Sequence, residues 1–168
     1  MSKATLYLMV GYPGSGKTTT AKIIHELTGA EHVWADKERH ERFGEVYRQA
    51  DSDELYRILN DRTAQLLQAG KSVVFDTNFN YRKDRDSLRQ IATEAGATPV
   101  VLWLQTPKET AFHRAVTQTN GQRMFVSMTH DDFERVASHL EAPGADEHPI
   151  VLDGTHVTAE YVKQNLGL

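Results

Sequence analysis

A three-layer, doubly wound α/β sheet with five parallel strands and a short helical lid is the fold class this sequence predicts. Three observations carry the prediction. Short apolar runs alternate with longer helical patterns along the whole chain, which implies parallel strands joined by right-handed crossovers. The runs at Ser72 to Phe75 and Val100 to Leu104 are continuous rather than alternating, as in strands covered on both faces. A glycine-rich loop joins the first run to the first helical pattern.

The elements follow in order. Ala4 to Val10 is the first strand, and Thr18 to Leu27 is the helix behind it. His32 to Ala35 is a short second strand, followed by the charged stretch Asp36 to Gln49. Asp53 to Leu67 places Leu55, Ile58, Leu59, Leu66 and Leu67 at helical spacing, and Gly70 stops it. Ser72 to Phe75 is the third strand. Arg82 to Ala95 carries Leu88, Ile91 and Ala95 on one helical face, with Gly96 at its end. Pro99 to Leu104 is the fourth strand. Pro107 to Val116 opens with proline in the first turn, where its missing N–H is harmless. Thr129 and Asp132 stand near capping-box spacing at the start of a helix Thr129 to Leu140. Ile150 to Leu152 is the fifth strand and Thr158 to Leu166 the closing helix. Ligands of such sheets bind beyond the carboxyl ends of the strands. Gly11, Asp36, Asp76, Gln105 and Asp153 therefore hold the positions of interest.

The chain has 168 residues, which fits one domain over 1–168 and leaves no room for a second catalytic domain. The absence of cysteine excludes a disulfide framework, a thiolate zinc site and a cysteine nucleophile. Lys+Arg 19 against Asp+Glu 23, a net charge of −4, argues against a wholly basic nucleic-acid wrapper. No apolar run approaches the ~20 residues of a membrane span. The N-terminal apolar stretch runs into glycine and charge rather than a cleavage site. A cytoplasmic protein without membrane partners is the expectation. His25, His113, His139 and His156 are scattered, without acidic partners at metal-ligand spacing.

Gly11-Tyr12-Pro13-Gly14-Ser15-Gly16-Lys17-Thr18 fits G-x-x-x-x-G-K-[ST] at every fixed position. Gly14 and Gly16 permit turns that aim N–H groups inward at phosphate oxygens. Lys17 brings an ammonium to the β- and γ-phosphates, and Thr18 offers a hydroxyl to Mg²⁺. The following helix points its positive end at the same anion. Pro13, Ser15 and Thr19 complete the expected nucleotide-binding set. ATP and Mg²⁺ are the implied cofactors. The motif alone does not say whether the γ-phosphoryl goes to water or to another acceptor.

No N-K-x-D guanine motif is present, and the third strand ends in Asp76-Thr77-Asn78, with one acid where a motor ATPase normally shows two. Small P-loop proteins are mostly kinases of small acceptors, an argument by fold analogy. A phosphotransferase needs a base for the acceptor hydroxyl and cations for the spreading charge. Asp36 and Arg39, three apart at a helix start, share one face and suit both tasks. The same pair also reads as a helix cap and a solvated arginine, and spacing alone does not choose. Arg82, Lys83, Arg85 and Arg89 alternate with Asp84 and Asp86, more like a solvated helix face than an acceptor groove, and Asn80 reads as that helix's cap. Trp34 and Trp103 read as core, with Trp34 also close enough to Asp36 to line an acceptor pocket.

Four features together resemble a known group: Gly11 to Thr18 with Pro-Gly-Ser inside the loop; Asp36-x-x-Arg39; Asp76-Thr77-Asn78-Phe79-Asn80 followed by Arg82 and Arg85; and Arg114, Arg123 and Glu141-Ala142-Pro143 with Glu147. Over essentially its whole length the chain resembles the polynucleotide-kinase-like branch of the P-loop kinases, relatives of the zeta-toxin kinases. The resemblance implies transfer of the γ-phosphoryl of ATP to an acceptor hydroxyl. It implies Asp36 as general base and Arg39 as the acceptor-side arginine. Asp76 is implied beside Thr18 near Mg²⁺, with Thr77, Asn78 and Arg82 on the acceptor side. A lid over about 114–128 would bring Arg114 and Arg123 to the transferring charge. Here the chain departs from the pattern, because Arg123 comes late, after Asn120-Gly121: either Arg123 swings in from a longer lid, the favoured reading, or Gln118 stands where a cation would be. Glu141 to Glu147 reads as a loop near the nucleotide base. The acceptor is either a polynucleotide or nucleotide 5′-hydroxyl, or a small metabolite, sugar nucleotide, antibiotic or modified base. The acidic balance leans away from long nucleic acid. A nucleotide-dependent switch protein with slow hydrolysis is the rival from another class, and Asp36-x-x-Arg39 counts against it.

Overall fold

The structure is a computed structural model and describes residues 2–44, 48–78, 80–117 and 128–168. Its elements are β1 (Thr5–Val10), α1 (Lys17–Thr28), β2 (Glu31–Trp34), α2 (Ala35–Phe43), α3 (Gln49–Gln68), β3 (Val73–Asp76), α4 (Arg82–Glu94), β4 (Thr98–Gln105), α5 (Lys108–Thr117), α6 (His130–Ser138), a 3-10 turn at Ala145–Glu147, β5 (Ile150–Asp153) and α7 (Ala159–Leu166). The strands stand in the order β2-β3-β1-β4-β5, and every neighbouring pair is parallel. This is the doubly wound sheet expected from the alternating pattern.

β1 lies at the centre, with Leu8 opposite Phe75 on one side and Val101 on the other. Side chains alternate across a strand, so each strand feeds two cores. Leu6, Leu8, Val10, Val73 and Phe75 pack with Leu55 and Leu59 of α3 and Leu88 and Ala92 of α4. Tyr7, Met9, Val74 and Leu102 pack with Ala21 and Ile24 of α1 and Val162 of α7. Full burial of a residue such as Phe75 or Leu8 contributes about 1.5–3 kcal/mol. The same alternation puts Asp76, two residues after Val74, on the face covered by α1. A third, smaller cluster joins α5 to α6 through Ala111, Ala115, Phe133 and Ala137, with Tyr12 and Phe112 against it. Among the described residues no helix is long and apolar enough to cross a membrane.

Two boundaries differ from expectation. β2 ends at Trp34 and α2 takes over at Ala35, so Asp36 lies in a first helical turn rather than closing a strand. The charged stretch 36–49 is not one piece: α2 stops at Gly44 (φ 73°), and α3 begins at Gln49, four residues before the apolar pattern shows itself. The first turn of α3 carries few apolar residues, so periodicity could not reveal it.

Candidate active site: a phosphate cradle beside a carboxylate–arginine cleft

The loop between β1 and α1 is closed by Ser15 N–H donating to the Tyr12 carbonyl at 3.0 Å. Gly14 has φ 79°, and a Cβ there would overlap the Ala111 carbonyl of α5. Only glycine satisfies both conditions. α1 starts behind Gly16 with no side-chain cap and no acid in its first turn, whereas α6 and α7 are both capped, by Thr129 and Thr158. Its first N–H groups are therefore left for an anion. The Ser15 hydroxyl is buried without a hydrogen-bond partner among the described residues. A buried orphan donor at an uncapped helix start fits the oxygens of a bound phosphate chain. The buried Lys17 ammonium donates to the carbonyls of Gly11 (2.9 Å) and Tyr12 (2.7 Å). Pro13 is buried, Thr18 half-buried and Thr19 exposed.

The back of the cradle comes from the ends of β4 and β5, where Thr106 and Gly154 directly follow the flagged positions Gln105 and Asp153. Thr106, just past β4, donates its hydroxyl to the Ser15 carbonyl at 2.9 Å. Gly154, just past β5, packs so closely that a Cβ would overlap both Ser15 O and Thr106 Oγ1. Its N–H donates to the Gln105 carbonyl at 2.8 Å. Arg114, near the end of α5, donates to the carbonyls of Gly154 (2.8 Å) and Thr155 (3.5 Å). This places Arg114 on the β5–α7 loop. Arg123 and Gln118, and most of the expected lid, lie outside the described residues.

Asp76 ends β3, is 3% exposed, and accepts from His32 Nε2 at 3.0 Å. It shares the α1 face with the start of the helix that carries Thr18. A buried carboxylate and a helix-start hydroxyl on the same face of the sheet are hard-oxygen donors of the kind suited to Mg²⁺. Thr77, also buried, shares a 2.6 Å hydrogen bond with the Tyr56 hydroxyl of α3. Burial, foremost, raises the Tyr56 phenol above its ordinary value; Asp36 pushes it further up, and Arg39 and Thr77 pull it down. Asp36 is exposed in the first turn of α2, and Arg39 donates through Nη2 to the buried Ser52 hydroxyl at 2.7 Å. Ser52 and Tyr56 stand one turn apart on α3, so that helix links Asp36 and Arg39 of α2 to Thr77 and half-buried Asn78, which follow β3. Tyr56 was invisible in the sequence because its spacing makes it one more apolar position of α3.

Several expectations fail here. Arg82 pairs with Asp86, Asp146 and Glu147, so its guanidinium is engaged by carboxylates rather than turned to an acceptor. Arg85 is fully buried and forks onto Glu147, Nε to Oε1 at 2.7 Å and Nη2 to Oε2 at 3.1 Å. The stretch is a solvated face at Lys83 and Asp84, as expected, with Arg85 turned inward. Burial by itself would raise the Glu147 carboxyl, yet Arg85, Gly144 N–H and Arg82 hold it below its ordinary value. Within Glu141 to Glu147, Asp146 and Glu147 bind α4 through Arg82, Arg85 and Arg89. Asn80 does not cap α4: its amide donates to the Val136 carbonyl of α6 at 3.1 Å. Trp34 is half-buried on the α1 side, stacked on His32 at 5.4 Å with the Lys22 ammonium 5.1 Å from its ring centre, and does not line the acceptor cleft.

Residues 6–143 match the family model described as AAA domain. A shikimate kinase of Persephonella marina is 29% identical over 110 residues, covering 63% of this chain and 64% of that protein. The chain thus spans less than two thirds of that relative. The probable gluconokinase of Schizosaccharomyces pombe is 28% identical over 154 residues, 87% of this chain and 77% of that protein. The unliganded structure of a sugar kinase from Janibacter sp. superposes with a TM-score of 0.72 at 24% identity, over 99% of this chain and 94% of that one. The chain belongs to the AAA domain family and carries the fold of the P-loop kinases.

Proposed function

We propose that the protein is an ATP- and Mg²⁺-dependent kinase that phosphorylates a hydroxyl of a small polar acceptor. The observation that carries this reading is a triphosphate cradle after β1 with a carboxylate–arginine pair after β2, at the same carboxyl edge of the sheet and two strands away. ATP sits with its phosphates on the Gly11 to Thr19 loop, and Lys17 exchanges its two carbonyl partners for phosphate oxygens. The Thr18 hydroxyl and the Asp76 carboxylate hold Mg²⁺, which neutralises phosphate charge when bound. Asp36 takes the proton of the acceptor hydroxyl as the new O–P bond forms, and ADP leaves. Arg39, steadied by Ser52, grips a polar or anionic group of the acceptor, with Thr77 and Asn78 beside it. Arg114 steadies the Gly154–Thr155 loop at the cradle's back, and Arg123 supplies the lid cation.

The relatives named for shikimate and gluconate support a small acceptor, as does the net charge of −4. The finer resemblance to polynucleotide kinases keeps a 5′-hydroxyl end as the rival acceptor. ADP release is measured with sugar acids, polyols and a 5′-hydroxyl oligonucleotide. Stimulation by a small acceptor, lost in Lys17→Met and reduced about 10²–10⁴-fold in Asp36→Asn, is expected. Stimulation by the oligonucleotide alone, falling steeply with salt, would replace the small acceptor with a nucleic-acid end. ATP turnover indifferent to every acceptor would overturn the kinase reading.

A further inference from the structure

Asp76 is a buried carboxylate, and its only hydrogen-bond partner among the described residues is His32 Nε2 at 3.0 Å. No arginine or lysine pairs with it among the described residues. A carboxylate can only accept, so Nε2 carries the hydrogen and donates it to Oδ2. The imidazole is itself held. Its ring lies flat on Trp34, 5.4 Å between centres and 5° between planes, and the Lys22 ammonium stands 5.1 Å from the centre of the Trp34 ring. His32 and Trp34 are two apart on β2, opposite Val74 and Asp76 of β3 in register. Lys22 lies on α1, the helix that begins at the phosphate loop. A line of contacts thus runs from α1 through Trp34 and His32 to Asp76.

We infer that His32 is a positioning residue for the metal site: it fixes the rotamer of Asp76 so that the oxygen not bonded to His32 is presented toward the Thr18 end of α1. The inference rests on the proposed role of Asp76 in holding Mg²⁺. A buried, singly partnered carboxylate has two torsions to lose on binding a cation, and an outer-shell donor that fixes them beforehand strengthens the site, typically 10–100-fold. A stacked ring is a better anchor than a flexible chain because it has few rotamers of its own. The sequence hides this residue, since His32 belongs to no motif and finds its partner 44 positions away.

The test uses Mn²⁺ as the metal probe and ADP as the nucleotide. Mn²⁺ affinity of the protein–ADP complex is read by electron paramagnetic resonance, and ADP affinity in EDTA by calorimetry. His32→Leu is expected to weaken Mn²⁺ binding at least tenfold while leaving metal-free ADP binding within twofold. His32→Gln, which keeps an N–H donor of similar reach, is expected to recover to within about threefold of the parent. Wild-type Mn²⁺ affinity in His32→Leu would overturn the inference, and so would failure of His32→Gln to recover or an equal loss of metal-free ADP binding. Asp76→Asn separates the two levels. If it too keeps full Mn²⁺ affinity, the metal role of Asp76 fails; if it alone loses affinity, only the role of His32 fails.

Discussion

Replacing Glu147 by glutamine leaves the size of the side chain unchanged and removes one buried charge. In the native chain that charge faces Arg85, both side chains are fully buried, and the guanidinium forks onto both carboxylate oxygens. Gly144 N–H adds a third donor at 2.8 Å. Removing one member of such a pair strands the other charge away from water, at a cost of about 3–5 kcal/mol. A domain of this size loses about 2–4 °C of Tm per kcal/mol, so Glu147→Gln should melt about 6–20 °C below the parent. Urea denaturation read by circular dichroism measures the same loss as a lower midpoint at unchanged slope. The control is the double variant Arg85→Met with Glu147→Gln. It removes the stranded charge, keeps an acceptor for Gly144 N–H, and fills the arginine stem. It should be more stable than Glu147→Gln alone, because the two changes are coupled rather than additive. Acid supplies an independent check. The Glu147 carboxyl is held below its ordinary value, so its contribution is present above that value and disappears as pH falls through the depressed one. Glu147→Gln should lack this part of the acid dependence. A single variant within about 1 kcal/mol of the parent, or a double variant worse than either single by their sum, would refute the reasoning.

Further outcomes follow from the cradle and the cleft. Gly154→Ala puts a methyl into Ser15 O and Thr106 Oγ1, and calorimetry should show ADP bound at least about tenfold more weakly, since small misplacements of a site carry large penalties. Wild-type affinity there would mean that the contact does not shape the loop. Tyr56→Phe removes the hydrogen bond to Thr77, which should lower stability by about 1 kcal/mol and raise the KM for the acceptor, with that for ATP unchanged. A rise in the KM for ATP instead would move Tyr56 out of the acceptor cleft. Arg114→Met detaches α5 from the Gly154 and Thr155 carbonyls, and steady-state kinetics should show KM for ATP raised more than kcat is lowered. A fall in kcat alone would assign Arg114 to the transferring phosphoryl.

The legible parts of this chain were those whose physics is local. The cradle declares itself because each fixed position answers to a turn, a charge or a hydroxyl within eight residues, and the structure keeps that order from Gly11 to Thr18. The capping box of α6 was legible for the same reason, with Thr129 and Asp132 three residues apart. What escaped depends on partners brought together by the sheet. Arg85 meets Glu147 across 62 positions, which turned an apparently solvated helix into the most buried charge of the fold. Gly154 and Thr106 reach Ser15 from the ends of β5 and β4; the strand ends Asp153 and Gln105 beside them were marked, but the contact with Ser15 was not. Spacing put Asp36 and Arg39 on one helix face without choosing between a site and a cap, whereas Ser52, which bonds Arg39, and Tyr56, which bonds Thr77, lie on α3 and look like ordinary helix positions.

The two carbonyls that hold the Lys17 ammonium have a consequence for which anions the protein answers to. Gly11 O and Tyr12 O accept from the ammonium, so the loop's own backbone contacts the cation that a phosphate would engage. Hydrogen bonds to a charged group are worth about 1.5–3 kcal/mol each, so a newcomer must outbid an incumbent already in place. Sulfate or orthophosphate brings one tetrahedral group and gains little beyond the exchange. A polyphosphate reaches the amides at the start of α1 and the lysine at once. An anion that engages only the lysine exchanges like for like, whereas one that also reaches the α1 amides gains contacts beyond the exchange, and because both acceptors are main-chain atoms this difference does not depend on the side chains of the loop.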